Sequence, residues 1–557
     1  MAKIGIDLGT TNSLAVIYRG GESVKIKNSL DEYITPSAVS VDDDGKILVG
    51  EAAKDRLISH PDRSASEFKR NMGLRTTVEL EGVKYTPEEL SSLILKKIKA
   101  DCEAFLGEEV EEAIISVPAY FDDNSRRATR IAADLSGLHV ERLINEPSAA
   151  ALSYLSRNGY VDGTYMVIDF GGGTLDVSVV DVFENIIEIL AVAGNNKLGG
   201  KDFNEVIARD FCKKNELSYD DLSPVEKAVI YRASERAKIA LSDIPVVMIE
   251  VPLEKQKYTL TLTNNELISM SKTIFEGIRD PVRKAIHDSR KTLQNIDKVI
   301  LVGGSCKMPT VREFIRQITG ITPDTSVDPD TAIAEGAAIY AAMKNKDLKD
   351  IILTDICPFT LGVAVNNDIL NDGSIMMSPI IPRNNTLPSS IMRPYYAASQ
   401  DQTGINIRVY QGENIHPEQN LFIGKLELQC PPTRRGDKIC DVKMTYDING
   451  ILIVDVITLD GHKETKAFRS NDSVLTEDQI EKIRAKMESA MLVTPEDEKY
   501  RALIARAERI YEESFNEQRA LITGRLMNFK AAINMRDPIK VRETYNSLSE
   551  LLDRLEY

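Results

Sequence analysis

The strongest constraint on this chain's fold is an internal echo. Residues 4–17 read I-G-I-D-L-G-T-T-N-S-L-A-V-I, and residues 167–179 read V-I-D-F-G-G-G-T-L-D-V-S-V. In each, a run of buried-type residues ends in Asp-x-Gly, and a turn of small residues returns into a second apolar run, the pattern of two strands joined by a tight turn. Two such units predict two half-sites facing one cleft. A third strand and turn, K-V-I-L-V-G-G-S at 298–305, is followed by Pro309 at a helix start and an amphipathic run through Ile318. Helical stretches over Pro87–Phe105 and Ser223–Leu241 lie between these elements, so strands alternate with helices as in an α/β architecture.

The pattern changes near residue 345. The segment K-N-K-D-L-K-D-I-I-L-T-D at 344–355 sets Ile351, Ile352 and Leu353 between charged residues, which predicts a linker able to dock; the alternative is that this patch is the first turn of the next core. Beyond it the period becomes two, with Ile405, Ile407 and Val409 alternating with Asn406, Arg408 and Tyr410, and Asn449-Gly450 between apolar runs signals a hairpin. From Thr476 the character is helical: Thr476–Gln479 matches a capping box, and Ile480, Ile483, Met487 and Met491 recur at helical spacing. An interruption falls at Arg536-Asp537-Pro538. A chain of 557 residues is long enough for about three to four domains. The expected division is an α/β unit over 1–345, a linker over 346–355, an all-β unit over 356–472 and a helical unit over 473–557.

Charge and cysteine usage narrow the function. Lys+Arg 69 against Asp+Glu 85 gives a net charge of −16, which repels a phosphate backbone and argues against nucleic acid as a partner. The six cysteines, at 102, 212, 306, 357, 430 and 440, form no C-x-x-C pair, which suits a reducing compartment. An acidic residue at position 7 interrupts any signal-peptide core, and no run of 18 apolar residues occurs, so the expectation is a cytoplasmic protein without membrane spans.

Glycines after a strand let backbone N–H groups approach a phosphate, and an adjacent Asp can hold Mg²⁺ directly or through its waters. Asp7-Leu8-Gly9-Thr10-Thr11 and Asp169-Phe170-Gly171-Gly172-Gly173-Thr174-Leu175-Asp176 each supply both parts. A G-x-x-x-x-G-K-[ST] loop is absent, which disfavours the P-loop class.

The ordered motifs D-L-G-T-T-N-S, V-P-A-Y-F, I-N-E-P-S-A-A-A, D-F-G-G-G-T-L-D-V-S and L-V-G-G-S resemble the signatures of the Hsp70 molecular chaperones, within a wider superfamily that includes actin and sugar kinases. The resemblance covers at least residues 3–490. I-I-L-T-D-I-C-P-F-T-L-G-V, S-P-I-I-P-R-N-N-T-L-P and the shortened C-terminus are most similar to a specialised bacterial branch of that family. It implies a duplicated, ribonuclease H-like (actin-like) ATPase domain, a β-sandwich that grips extended apolar peptides, and a short helical lid. Asp7 and Asp169 would hold hydrated Mg²⁺. Gly9, Thr10, Thr11, Asn12 and Gly171, Gly172 and Gly173 would line the phosphates of ATP or ADP, with K⁺ as a further ion. Lys69, Glu146, Asp169, Thr174 and Asp176 would form the hydrolytic set. Gly199, Gly200, Glu235, Lys238, Ser242, Gly303, Gly304, Ser305, Lys307 and Asp330 would surround adenosine. In the β domain the peptide would meet Val363, Val365, Tyr395, Ala398, Ile405 and Ile407. The implied partners are unfolded peptides and a J-domain co-chaperone.

The chain departs from its relatives at four places. Ile239 and Lys307 stand where many Hsp70s carry arginines that bracket adenine, which points to looser nucleotide retention and a dispensable exchange factor. Lys201 replaces a more usual Glu, and Asn366 an apolar residue of the peptide cleft. Two other functions share the ATPase fold: a small-molecule kinase and a filament-forming actin-like protein. Neither explains the units after residue 345.

Overall fold

The computed structural model describes residues 2–253, 256–344, 351–366, 374–447, 450–468, 481, 483 and 495–556. The echo is a topological repeat. Strand Lys3–Leu8 pairs antiparallel with Asn12–Arg19, which continues to Glu22–Lys25, while on its other side Lys3–Leu8 pairs parallel with Glu112–Val117. In the second half Gly163–Phe170, Leu175–Phe183 and Ile186–Asn195 form the same meander, and Gly163–Phe170 pairs parallel with Lys298–Val302. Both turns that follow the first strand therefore leave their sheets at equivalent corners.

Helix signals in the sequence are realised locally. Helix Pro87–Leu106 begins with a capping box, in which Thr86 Oγ1 accepts from the Glu89 amide at 3.2 Å and Glu89 Oε2 from the Thr86 amide at 2.7 Å. Leu90, Leu93, Ile94 and Ile98 then recur on its buried face. Helix Ala332–Lys344, rich in Ala and Gly, lies against strand Lys3–Leu8 and against helix Glu146–Asn158. A Cβ on Gly336 would stand 1.8 Å from the Ala149 carbonyl oxygen, so no larger residue permits this approach.

The linker patch divides. Ile352–Thr354 adds as a parallel edge strand to Ile186–Asn195, with Ile187 opposite Leu353. Ile351 and Leu353 pack onto the core of the second half, whereas Ile352 is 56% exposed. The patch thus belongs to the α/β unit rather than to the first turn of the next core; residues 345–350 lie outside the described residues.

Beyond it, Ile375–Ile381, Leu361–Asn366, Gln402–Gln411 and Leu421–Thr433 form one sheet, and Ser389–Tyr396, Lys438–Tyr446, Leu452–Thr458 and Lys463–Phe468 another. Their inner faces share one core through Val363, Ile407 and Val409 from the first and Val442, Met444 and Val454 from the second. The expected hairpin joins Lys438–Tyr446 to Leu452–Thr458, with Gly450 at φ 77°; Asn449 lies outside the described residues. The segment leading into these sheets touches the α/β unit through the rings of Phe359 and Tyr120, centroids 4.6 Å apart, and through Asn145 Nδ2 donating to Asp355 Oδ2 at 2.6 Å.

Helices Pro495–Glu512, Asn516–Met535 and Pro538–Glu556 enclose a core of their own, including Leu503, Ile522, Phe529 and Leu548. The interruption at 536–538 is present, with Arg536 at φ 52°. Of the helical signals further upstream, Thr476–Gln479, Ile480, Met487 and Met491 lie outside the described residues, and Ile483 packs on the core of the first half. The first of the three helices lies on helix Glu51–Ser59, where Ala505 enters a cluster with Ala38, Leu48, Ala52 and Ala53. Arg509 Nε stands 2.6 Å from Asp55 Oδ1, and Arg56 donates to Glu508 at 3.2 Å. Among the described residues no helix is long and apolar enough to cross a membrane.

Arg509 and Asp55 are both nearly inaccessible, at 3% and 2% exposure. Removing one member of a buried pair strands the other at roughly 3–5 kcal/mol. Arg509→Met is therefore expected to raise amide hydrogen exchange in both Glu51–Ser59 and Pro495–Glu512. Unchanged protection would assign this contact to the Ala505 cluster alone.

Candidate active site

The two echoed turns meet face to face. A Cβ on Gly172 would lie 2.0 Å from Thr11 Oγ1, and one on Gly173 would lie 2.7 Å from Thr10 Cγ2. The third turn joins them from the side: Gly303, at φ 82°, brings its backbone so close that a Cβ would reach 2.6 Å from Asp169 Oδ1, and Ser305 Oγ donates to the Gly171 carbonyl at 2.8 Å. The turns border a cavity of about 640 Å³. It is lined by every residue named for the phosphate, hydrolytic and adenosine roles except Gly173, Asp176 and Gly199.

The acidic end of the cavity is crowded. Asp169 and Asp176 are register partners on adjacent strands, and Asp7 closes the strand of the other half, accepting from Ser116 Oγ at 2.7 Å. Lys69 Nζ donates to Glu146 Oε1 at 2.8 Å, with both side chains almost inaccessible. Burial, then the negative charge of Glu146, pushes the Asp7 carboxyl up to about 6 and that of Asp176 up to about 8, and raises Asp169 well above the ordinary range. Burial pulls Lys69 down, but Glu146 and Asp7 outweigh it and hold the ammonium above its usual value.

Four carboxyl groups therefore face one lysine, and ionising them together is unfavourable without a further cation. Asp7 and Asp169 offer hard oxygen donors from opposite halves, a small set that suits Mg²⁺, which keeps most of its waters. Thr11 Oγ1, buried without a hydrogen-bond partner, is a polar atom left for a ligand.

The other end is set by helix Pro224–Ala240, which carries Glu235 and Lys238, with Ser242 just beyond it. Lys238 Nζ donates to the Gly200 carbonyl at 2.8 Å, and burial lowers its pKa to about 8 against the opposing pull of Glu235. Lys307 pairs with Asp330, so its charge is engaged along the rim. Ile239 also lines the cavity and is 59% exposed.

The six positions expected to meet peptide do not share one environment. Val363, Ile405 and Ile407 are buried in the core between the β sheets, Val365 and Tyr395 are half-buried against it, and Ala398 is exposed. In this structure the first three pack the sandwich.

Three contributors were not singled out from sequence. Ser116 is the one polar residue in the run I-I-S-V at 114–117, a signal in hindsight that a buried partner exists. Arg70 donates twice to the Gly173 carbonyl, at 2.8 and 3.0 Å, and Glu67 pairs with Lys201. Neither of the latter carries a periodic signature.

A duplicated α/β sheet with facing glycine turns, buried paired carboxylates and a deep cavity defines a nucleotide-binding class of protein. The family model for "Hsp70 protein" matches residues 3–79 and 75–556. The chain belongs to the Hsp70 family, whose members are ATP-dependent chaperones that bind ATP and ADP with Mg²⁺ and act with unfolded peptides and J-domain co-chaperones.

Proposed function

We propose that this chain is a chaperone of the HscC-type bacterial branch, in which nucleotide in the cleft controls the affinity of the β sheets for extended apolar segments. Residues 1–345 are the ATPase unit, 346–355 the linker, 356–472 the peptide-binding unit and 473–557 a reduced lid. The observation that carries the reading is the strand Ile352–Thr354. The segment leading to the β sheets is an edge strand of the very sheet that bears Asp169 and Asp176. A shift in that sheet therefore bears directly on the connection.

Bound Mg²⁺, held through water by Asp7 and Asp169, would neutralise charge on the phosphates. Lys69 supplies a fixed positive charge to the transferring phosphoryl group and orients water, and Glu146 keeps it protonated and in place. Thr174 and Asp176 complete the hydrolytic set. This division suits phosphoryl transfer, which depends on positioning and charge neutralisation rather than on covalent chemistry. The six free thiols fit a reducing cytoplasm.

The test is the ATPase rate with and without a panel of extended peptides and J-domains. Stimulation by both supports the reading. Stimulation by a sugar instead would make the chain a kinase, a reading that leaves the β sheets and helical bundle without a role.

The adenine end adds a prediction. An arginine at position 239 can lie over the purine, and cation–π stacking contributes about 0.5–2 kcal/mol. That corresponds to roughly 2- to 30-fold in affinity. Ile239→Arg is expected to slow release of a fluorescent ADP analogue within that range and to leave hydrolysis unchanged. Release at the wild-type rate or faster would show that the adenine is already covered, and that exchange needs a different explanation.

A further inference from the structure

Two residues before Lys69, Glu67 heads the short helical turn Phe68–Asn71 with its backbone in the left-handed region, φ 64°. A non-glycine residue in that conformation persists where its surroundings over-determine it. The contacts that do so come from the other half of the molecule. Lys201 Nζ stands 2.7 Å from Glu67 Oε1, and the two side chains are 11% and 34% exposed. Lys201 is the second residue of helix Gly200–Lys214, and its amide donates to the Gly172 carbonyl at 2.9 Å. The lysine is thus anchored at its backbone to the glycine turn of one half, while its ammonium holds the turn that carries Lys69 in the other.

A second tie runs alongside. Arg70 reaches the Gly173 carbonyl, and its Nη2 lies 3.5 Å from Asp202. Lys69 is therefore bracketed in sequence by two cross-cleft contacts, one at position 67 and one at position 70, and both end at the Gly172–Gly173 turn and the start of helix Gly200–Lys214 hydrogen-bonded to it. Arg70 is held chiefly by that carbonyl, with Asp202 at 3.5 Å and Glu67 at 3.8 Å, whereas Glu67 and Lys201, at 2.7 Å, form the closest charge pair of this group, and their attraction depends on how far the halves are drawn together.

We infer that Lys201 is a positioning residue for hydrolysis: through Glu67 it sets where the Lys69 turn stands relative to the Gly171–Gly173 turn, so that the lysine is correctly placed only in the closed cleft. The inference rests on the phosphoryl-transfer reading given above. Lys201 lines the cavity but acts through Glu67. Displacing a catalytic group by about 1 Å costs on the order of 10²-fold, so a distortion of a few tenths of an ångström suffices for a tenfold effect.

The test measures single-turnover ATP hydrolysis beside equilibrium Mg·ATP binding in the full chain. Lys201→Glu sets a second carboxylate against Glu67, and hydrolysis is expected to fall by roughly 10- to 100-fold. Binding is expected to change by less than about threefold, a small shift on the affinity scale. Lys201→Met, which removes the charge without repulsion, gives an intermediate rate and serves as the probe should Lys201→Glu fail to fold. The double variant Glu67→Lys/Lys201→Glu restores the pair in reverse and is expected to recover most of the lost rate. Wild-type hydrolysis in Lys201→Met, or a loss confined to binding, overturns the inference. So does a double variant no faster than Lys201→Glu. A wild-type chain that hydrolyses no ATP at all removes the reading of the cleft, and the inference with it.

Discussion

Lys69→Ala is expected to lower single-turnover ATP hydrolysis by about 10²- to 10³-fold, the loss typical of removing one preorganised charge-stabilising donor. ATP affinity is expected to be largely preserved. The lysine sits at the acidic end of the cavity, with its ammonium on Glu146, while Glu235, Lys238 and Ser242 occupy the other end. Without it, Asp7, Glu146, Asp169 and Asp176 lose the buried ammonium that they share. Burial already raises Asp7 and Asp176, so these groups answer by taking up protons, and the fold tolerates the change better than the chemistry does. Equilibrium nucleotide binding measured beside the hydrolysis rate separates the two effects. A variant that hydrolyses at the wild-type rate would remove Lys69 from the site.

Leu353→Asp is expected to uncouple the two units. Leu353 lies opposite Ile187 in the added strand and packs on the core that includes Ile189 and Tyr340. A carboxylate there loses apolar contact and is stranded beside it, at about 3 kcal/mol. That is a shift of roughly 100-fold in the docking equilibrium. Basal hydrolysis is expected to survive, while ATP no longer accelerates peptide release. Ile352→Asp is the matched control, because Ile352 points outward and its exchange leaves the ladder's packing intact. ATP-accelerated release in Leu353→Asp would mean that docking of this strand does not carry the signal.

The parts of the fold that were legible in the sequence are those with a local cause. Asp-x-Gly turns after apolar runs, the helix expected over Pro87–Phe105 and the positive-φ glycine at 450 are each dictated by neighbours within a few residues. The peptide-contact positions in the β sheets were not resolved in this way. Alternation shows that Ile405 and Ile407 share a face with Val409, but a period of two does not say whether that face points at a partner or at the opposite sheet. Val363, Ile405 and Ile407 turn out to fill the interior. At the cleft, Lys69 and Glu146 stand 77 positions apart in sequence, and nothing in either neighbourhood marks them as a buried pair. Their assignment required the family resemblance, and their geometry required the structure. Glu67 had neither a motif nor a spacing to announce it, and Lys201 was marked only as a departure from the more usual Glu, with no partner named.

Two of the attachments between the α/β unit and the rest of the chain are unlike in kind, and they respond differently to ionic strength. The edge strand Ile352–Thr354 is held by a main-chain ladder and apolar packing, forces that dissolved ions barely screen. The helical bundle is held largely by charge: Lys97–Glu498 at 3.1 Å, Lys499–Asp31 at 4.0 Å and Arg232–Glu513 at 3.5 Å surround the inaccessible Arg509–Asp55 pair. At about 0.15 M salt the Debye length is near 8 Å, and at 1 M it is near 3 Å. Raising salt therefore weakens the peripheral pairs first and leaves the strand in place, so the bundle can be loosened without breaking the strand connection to the β sheets.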